Sequence, residues 1–183
     1  LKPIAAGLNL GGGKGVIIGD PKTDKSEALF RAYGRFIESL KGRFITGEDV
    51  GIDVNDVEYM FMETRYVCGL SKAHGGGGDP APVTAFAVLQ GMRACADERL
   101  GQSSLKGVTV AIQGLGSVGF PLARLLKEEG AEIVATDLNE ERRQHAADAL
   151  GIKVVTPSEI YDVPADIFAP CALGAVVNDE TLD

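Results

Sequence analysis

The sequence predicts an α/β protein in two parts: a partial α/β domain over residues 1–76, then a domain over residues 77–183 built on a parallel sheet. Three observations carry this. From Gly107 to Asp137 an apolar strand, a glycine turn, a helix and a second strand follow one another, the order of a β-α-β unit. Ahead of it, two segments show apolar residues at helical spacing, with short strand-like runs between. Between the two parts lies Gly75-Gly76-Gly77-Gly78-Asp79-Pro80, where a glycine run followed by Asp-Pro reads as a hinge entering a helix.

In chain order, Leu1 to Lys14 is small and glycine-rich and reads as a loop or irregular strand. Gly15 to Gly19 is a short β-branched strand stopped at Asp20-Pro21. Asp24 is the expected N-cap of a helix, with Glu27 as capping-box partner and Ala28, Leu29, Ala32, Tyr33, Phe36, Ile37 and Leu40 as its apolar face. Arg43 to Thr46 is a strand, and Gly47 to Gly51 a turn with two acids. Asp53 caps a second helix carrying Val54, Val57, Phe61 and Thr64. A helix from about Ala81 to Arg99 is expected to align Thr84, Val88, Met92 and Cys95.

Composition narrows the function classes. The chain is 45% apolar, so both parts can hold a core. A net charge of -8 without basic clusters argues against nucleic acid or a membrane surface as partner. No apolar run reaches the ~18 residues a membrane span needs, and no charged segment leads into an apolar stretch at the start, as a signal peptide would. Cys68, Cys95 and Cys171 are odd in number and widely spaced, which fits reduced thiols in the cytoplasm. With only two histidines and no CxxC pair, no metal site is expected.

Val108 to Ile112 suits a buried parallel strand. Gly114-Leu115-Gly116-Ser117-Val118-Gly119 follows, then a helix ending near Gly130, then a strand from Glu132 to Thr136 that ends in Asp137. In a dinucleotide site Gly114 makes the turn, Gly116 lets the backbone approach a pyrophosphate, and Gly119 lets the helix sit close to the sheet. The helix start offers N–H groups and partial positive charge to phosphates. Asp137, some twenty residues on, would accept the ribose hydroxyls and repel a 2′-phosphate, which favours NAD over NADP. Tight turns of this kind also occur without a ligand, and methyltransferases that use S-adenosylmethionine share the layout.

Two loops of the first part carry candidate chemistry. Lys14 follows three glycines, and if it converged with Lys2 their repulsion would ease loss of a proton from one of them, leaving the other to hold a carboxylate. Asp49 lies in the Gly47 to Gly51 turn, where it could exchange a proton with an amine. Lysines in glycine loops are usually solvated, and acids before helices are usually caps. The residues alone leave both readings open.

Across nearly the whole chain the sequence resembles the glutamate/leucine/phenylalanine/valine dehydrogenase family, in its leucine-type branch. The matching stretches occur in the family's order: Ala6-Gly-Leu-Asn-Leu-Gly-Gly-Gly-Lys14, Glu48-Asp-Val-Gly51, Asp79-Pro-Ala-Pro-Val-Thr84, Gln113-Gly-Leu-Gly-Ser-Val-Gly119, Thr136-Asp137 and Ile167-Phe-Ala-Pro-Cys-Ala-Leu-Gly174. The resemblance implies a catalytic domain followed by a Rossmann-type domain, and reversible NAD-dependent oxidative deamination of an L-amino acid by a homo-oligomer. It implies that Lys2 binds the substrate carboxylate, Lys14 activates water and Asp49 shuttles a proton. It places Thr84 at the nicotinamide amide, Ala169-Pro170-Cys171-Ala172 beside the nicotinamide ribose, and the Gly75 to Gly78 run near a hinge.

Family members are longer, so the resemblance implies a piece of a larger protein, and a non-catalytic NAD-binding module is the alternative reading. Ile52 and Pro3 depart from the threonine and asparagine common at their positions. No basic residue addresses a second carboxylate, and the surroundings of Gly11 look like the apolar-substrate branch, leucine, valine, isoleucine or phenylalanine. Gly47, where leucine-type members have alanine, is expected to widen the pocket toward an aromatic side chain.

Overall fold

The computed structural model describes residues 2–182. The chain is mixed α/β and divides into two compact units between Pro80 and Ala81.

In the first unit, helix α1 (Lys2–Ala5) precedes a long irregular stretch, and α2 (Glu27–Ser39), β1 (Thr46–Gly47), α3 (Val54–Phe61) and β2 (Val67–Cys68) follow. β1 and β2 pair in parallel, Thr46 opposite Val67 and Gly47 opposite Cys68, with α3 as the crossover between them. α2 meets α3 at Gly34: a Cβ there would stand 2.7 Å from the Met60 carbonyl oxygen, so only glycine allows this approach. Phe30, Ile37, Val57 and Met60 are buried. Arg31 joins Glu63 at 2.7 Å, and the Thr64 hydroxyl donates to Glu38 at 2.6 Å.

Several local expectations shift. Gly15 to Gly19 forms no strand: Val16 and Ile18 are exposed, and no other strand pairs with them among the described residues. The α2 cap is Ser26, whose hydroxyl accepts from the Leu29 amide at 3.2 Å, whereas Asp24 accepts from Asp20 and Thr23 in the turn before it. The buried stripe of α2 is Phe30, Gly34 and Ile37, while Ala28, Ala32 and Phe36 face solvent.

The second unit holds α4 (Ala81–Leu100), β3 (Thr109–Gln113), α5 (Gly119–Glu128), β4 (Glu132–Thr136), α6 (Glu140–Leu150), β5 (Lys153–Val154) and β6 (Ile167–Pro170). Its sheet is wholly parallel in the order β5-β4-β3-β6. Counted within the unit this is 3-2-1-4, the order of the first four strands of a Rossmann sheet. Strand residues alternate between two cores. Val110, Ile112, Ile133 and Ala135 pack with Leu89 and Met92 of α4 and Leu122 and Leu126 of α5. Ala111 and Val134 point the other way, onto Ile160 and Phe168. β3 is therefore covered on both faces, which explains its unbroken apolar run. The α4 stripe is Ala81, Ala85, Leu89, Met92 and Ala96, and Thr84 and Cys95 lie off it, contrary to the expected face.

Candidate active site

Lys14 stands between two glycines that lie against aromatic rings. A Cβ on Gly13 would be 3.0 Å from the Phe44 ring, and one on Gly15 would overlap the Tyr33 hydroxyl at 2.1 Å. These approaches hold the Lys14 backbone over the Tyr33 face of α2, and Tyr33 in turn lies 3.4 Å from the Thr46 hydroxyl in β1. Asp49 sits in the turn after β1, its Oδ1 accepting from the Val50 amide at 2.8 Å. Its Oδ2 forms an ion pair with Lys14 Nζ. The structure thus brings two of the three expected residues together. Lys2 is exposed on α1.

Two neighbours complete this corner. A Cβ on Gly47 would stand 2.6 Å from Cys68 Sγ and 3.0 Å from the Cys68 carbonyl oxygen. The Cys68 thiol, which donates to the Thr46 carbonyl at 3.3 Å, fills the space of the missing methyl. Gly47 therefore opens no room, and the lean toward an aromatic substrate loses its support. Glu48, absent from the expected site, has its Oε2 buried without a hydrogen-bond partner among the described residues. Burial, then the charges of Asp79 and Asp53, push its carboxyl above the ordinary value. A glutamate in a polar turn gives no sequence signal of this, because burial is set by β2 and the Gly69 backbone close by.

In the second unit the glycine turn leaves the C-terminal end of β3. Gly114 has φ +98°, a conformation open to glycine, and a Cβ there would strike the Cys171 carbonyl and the Ala172 nitrogen at 2.8 Å. Gly119 opens α5 with a Cβ position 1.8 Å from the Gly114 oxygen. Both are glycine for reasons internal to the fold. Gly116 is different: a Cβ would meet only Arg142 Nη1, at 3.7 Å, so the backbone there lies open. No side chain caps the first turn of α5. Leu115 is buried, while Ser117 is exposed on the turn and Val118 is half-buried.

Asp137, buried at the end of β4, accepts from the Leu115 amide through Oδ2 at 2.7 Å and from the Asn139 amide through Oδ1 at 2.8 Å. It ties the glycine turn to the neighbouring strand. Ala169 and Pro170 end β6 beside Ile112 and Gln113, and Cys171 donates its amide to the Gln113 carbonyl at 2.7 Å. Burial pushes the Cys171 thiol up. Ala172 is exposed, and Thr84 lies near the start of α4. Among the described residues no group of three or more His, Cys, Asp or Glu side chains could hold a metal ion.

Known proteins resemble the chain in both units. The family model described as Glu/Leu/Phe/Val dehydrogenase, dimerisation domain, matches residues 1–66, and the one described as Glutamate/Leucine/Phenylalanine/Valine dehydrogenase matches residues 75–141. Leucine dehydrogenase of Thermoactinomyces intermedius is 56% identical over 182 residues, covering 100% of this chain and 50% of that protein. Phenylalanine dehydrogenase of Bacillus thermotolerans is 46% identical, covering 100% and 49%. The crystal structure of L-tryptophan dehydrogenase from Nostoc punctiforme matches with a TM-score of 0.73 at 42% identity, covering 99% of this chain and 51% of that one. The chain spans about half the length of the curated relatives it matches. Two family models in tandem, with identities this high along the whole chain, place it in the glutamate/leucine/phenylalanine/valine dehydrogenase family.

Proposed function

We propose that the chain is part of an NAD-dependent dehydrogenase that converts an apolar L-amino acid, a branched-chain one or phenylalanine, reversibly to its 2-oxo acid and ammonia. The observation that carries this reading is the pairing of Lys14 with Asp49, a base and a proton carrier, in a chain of this family. In this reading residues 1–76 are the substrate domain and residues 77–183 the NAD-binding domain. NAD, when bound, accepts the hydride lost from the substrate Cα.

The open backbone at Gly116, the uncapped start of α5 and the Asp137 carboxylate fit a dinucleotide's pyrophosphate and ribose. Leu115, Ser117 and Val118 shape that turn between Gly114 and Gly119. Thr84 and the Ala169 to Ala172 segment would contact the nicotinamide end. Lys2 holds the substrate carboxylate as a fixed cation, and Gly11 and Gly47 line its loops. Loss of the hydride leaves an imine. Lys14 takes a proton from the water that adds to its carbon, and Asp49 delivers a proton to the nitrogen, so that the C–N bond breaks and ammonia leaves. The dimerisation-domain match supports a homo-oligomer, and three unpaired cysteines support a cytoplasmic setting.

The test follows NADH formation by the whole protein at alkaline pH with leucine, valine, phenylalanine and glutamate. Turnover of the apolar amino acids is expected. Lys14→Ala is expected to lower kcat by about 10²–10⁴-fold and to leave NAD binding nearly unchanged. NAD binding without turnover of any amino acid leaves only the non-catalytic module; a large loss of NAD affinity in Lys14→Ala removes Lys14 from the catalytic role.

A further inference from the structure

Of the glycines around Lys14, Gly11 and Gly12 have open space where a Cβ would stand, whereas Gly13 and Gly15 do not. A Cβ on Gly15 would overlap the Tyr33 hydroxyl, with the ring carbon that bears it at 3.3 Å and the Phe44 ring at 3.7 Å. Gly15 is not among the glycines of positive φ, so space and not backbone conformation demands glycine there. The Tyr33 hydroxyl fills the place of a side chain at position 15.

The far side of that hydroxyl is anchored. It lies 3.4 Å from the Thr46 hydroxyl. Thr46 is buried in β1, its amide donating to the Tyr66 carbonyl at 3.0 Å and its carbonyl accepting the Cys68 thiol at 3.3 Å. Asp49 follows three residues later. One phenol thus touches both the strand that leads into Asp49 and the backbone next to Lys14.

The ion pair does not hold its own geometry. Lys14 and Asp49 are both exposed, and exposed pairs contribute little by themselves. Among the described residues, no backbone hydrogen bond involves residues 9–19. The packing of Gly13 on Phe44 and of Gly15 on Tyr33 therefore places Lys14.

We infer that Tyr33 is a positioning residue for Lys14: its hydroxyl, held by Thr46, is the stop against which the Gly15 backbone rests, and it sets where Lys14 stands opposite Asp49. The inference rests on the reading of Lys14 as the base that activates water. Tyr33→Phe leaves a gap of one oxygen beside Gly15, and a methyl at position 15 fills that gap. The two changes are expected to harm singly and to compensate when combined.

The test measures leucine oxidation by the whole protein for the parent, Tyr33→Phe, Gly15→Ala, the double variant and Lys14→Ala, with thermal melts of each. NADH is followed through the first turnover and in the steady state. Water adds to the imine after the hydride has left Cα, so a displaced Lys14 slows the steady rate and not the first turnover. Tyr33→Phe is expected to lower kcat about tenfold, to leave the first turnover at the parent's rate, and to change KM for NAD less than about twofold. Gly15→Ala is expected to lose more, and the double variant to regain most of what Gly15→Ala lost. Where Gly15→Ala does not fold, recovery of the fold in the double variant is the same result. Tyr33→Phe turning over at the parent's rate, an equal fall in first turnover and steady rate, or a double variant no better than Gly15→Ala overturns this inference alone. Lys14→Ala as fast as the parent, or a parent inactive on every amino acid, overturns the reading of Lys14, and this inference falls with it.

Discussion

Two adjacent acids in the turn after β1 live in different surroundings. Asp49 is half-exposed and meets Lys14, whereas Glu48 keeps an oxygen buried without a partner among the described residues and is pushed up by burial and by Asp79 and Asp53. A carboxyl whose folded value lies above its unfolded one favours the fold only while protonated. Its contribution is complete below the ordinary value of 4.5 and is lost as pH rises through the folded value. Glu48→Gln removes that loss. It is expected to raise Tm by a few degrees near neutral pH and to change nothing well below pH 4.5; melts across that range check it, and a gain independent of pH would sink the argument. Gly47 offers a second test. Gly47→Ala puts a methyl where Cys68 Sγ sits. A loss of about 1–3 kcal/mol from overpacking is expected in urea denaturation, partly recovered in the double variant with Cys68→Ala. If Cys68→Ala recovers nothing, the thiol is not what fills the space.

Among the elements, α3 is the one whose start is most completely specified by side chains. Asp53 accepts from the Asn55 amide at 2.9 Å and the Asp56 amide at 3.2 Å, and Asp56 returns a bond to the Asp53 amide at 2.8 Å. Lys25 reaches both acids. Burial alone would raise the Asp53 carboxyl; the bonds from Lys25 and from the helix amides outweigh it and hold Asp53 below 3.8. Asp53→Ala is expected to cost about 1–2 kcal/mol by chemical denaturation. Because the Asp53 value is depressed, the cost is full above pH 3.8 and fades as pH falls through the lower folded value. A cost that persists in strong acid would mean that the side chain acts through its volume and not its charge. This cap was legible because capping is chemistry within four residues. The faces of α2 and α4 were not: Gly34 and the alanines of α4 are buried because a neighbouring helix comes close, and small residues carry little weight in an apolar count.

At the scale of the whole molecule, the β3–turn–α5–β4 unit follows the sequence almost residue for residue, since its strand, its glycine spacing and its terminal acid are local signals. The order of motifs along the chain was enough to indicate the family that the comparisons show. Other features depended on distant segments meeting. β2 and β5 are two-residue strands, too short for any alternation pattern, and exist because β1 and β4 offer them a parallel edge. The β-branched run at Val16 to Ile18, by contrast, finds no strand to pair with among the described residues and stays irregular. The sequence by itself determined the α/β class, the glycine turn with Asp137 behind it, and Lys14 and Asp49 as the residues to watch. Only the tertiary structure decided that Lys14 pairs with Asp49, that Cys68 fills the space beside Gly47, and that Arg142 stands beside Asp137. Each of these joins side chains far apart in the chain or on adjoining turns, and such meetings are settled by the fold around them, not by spacing along the sequence.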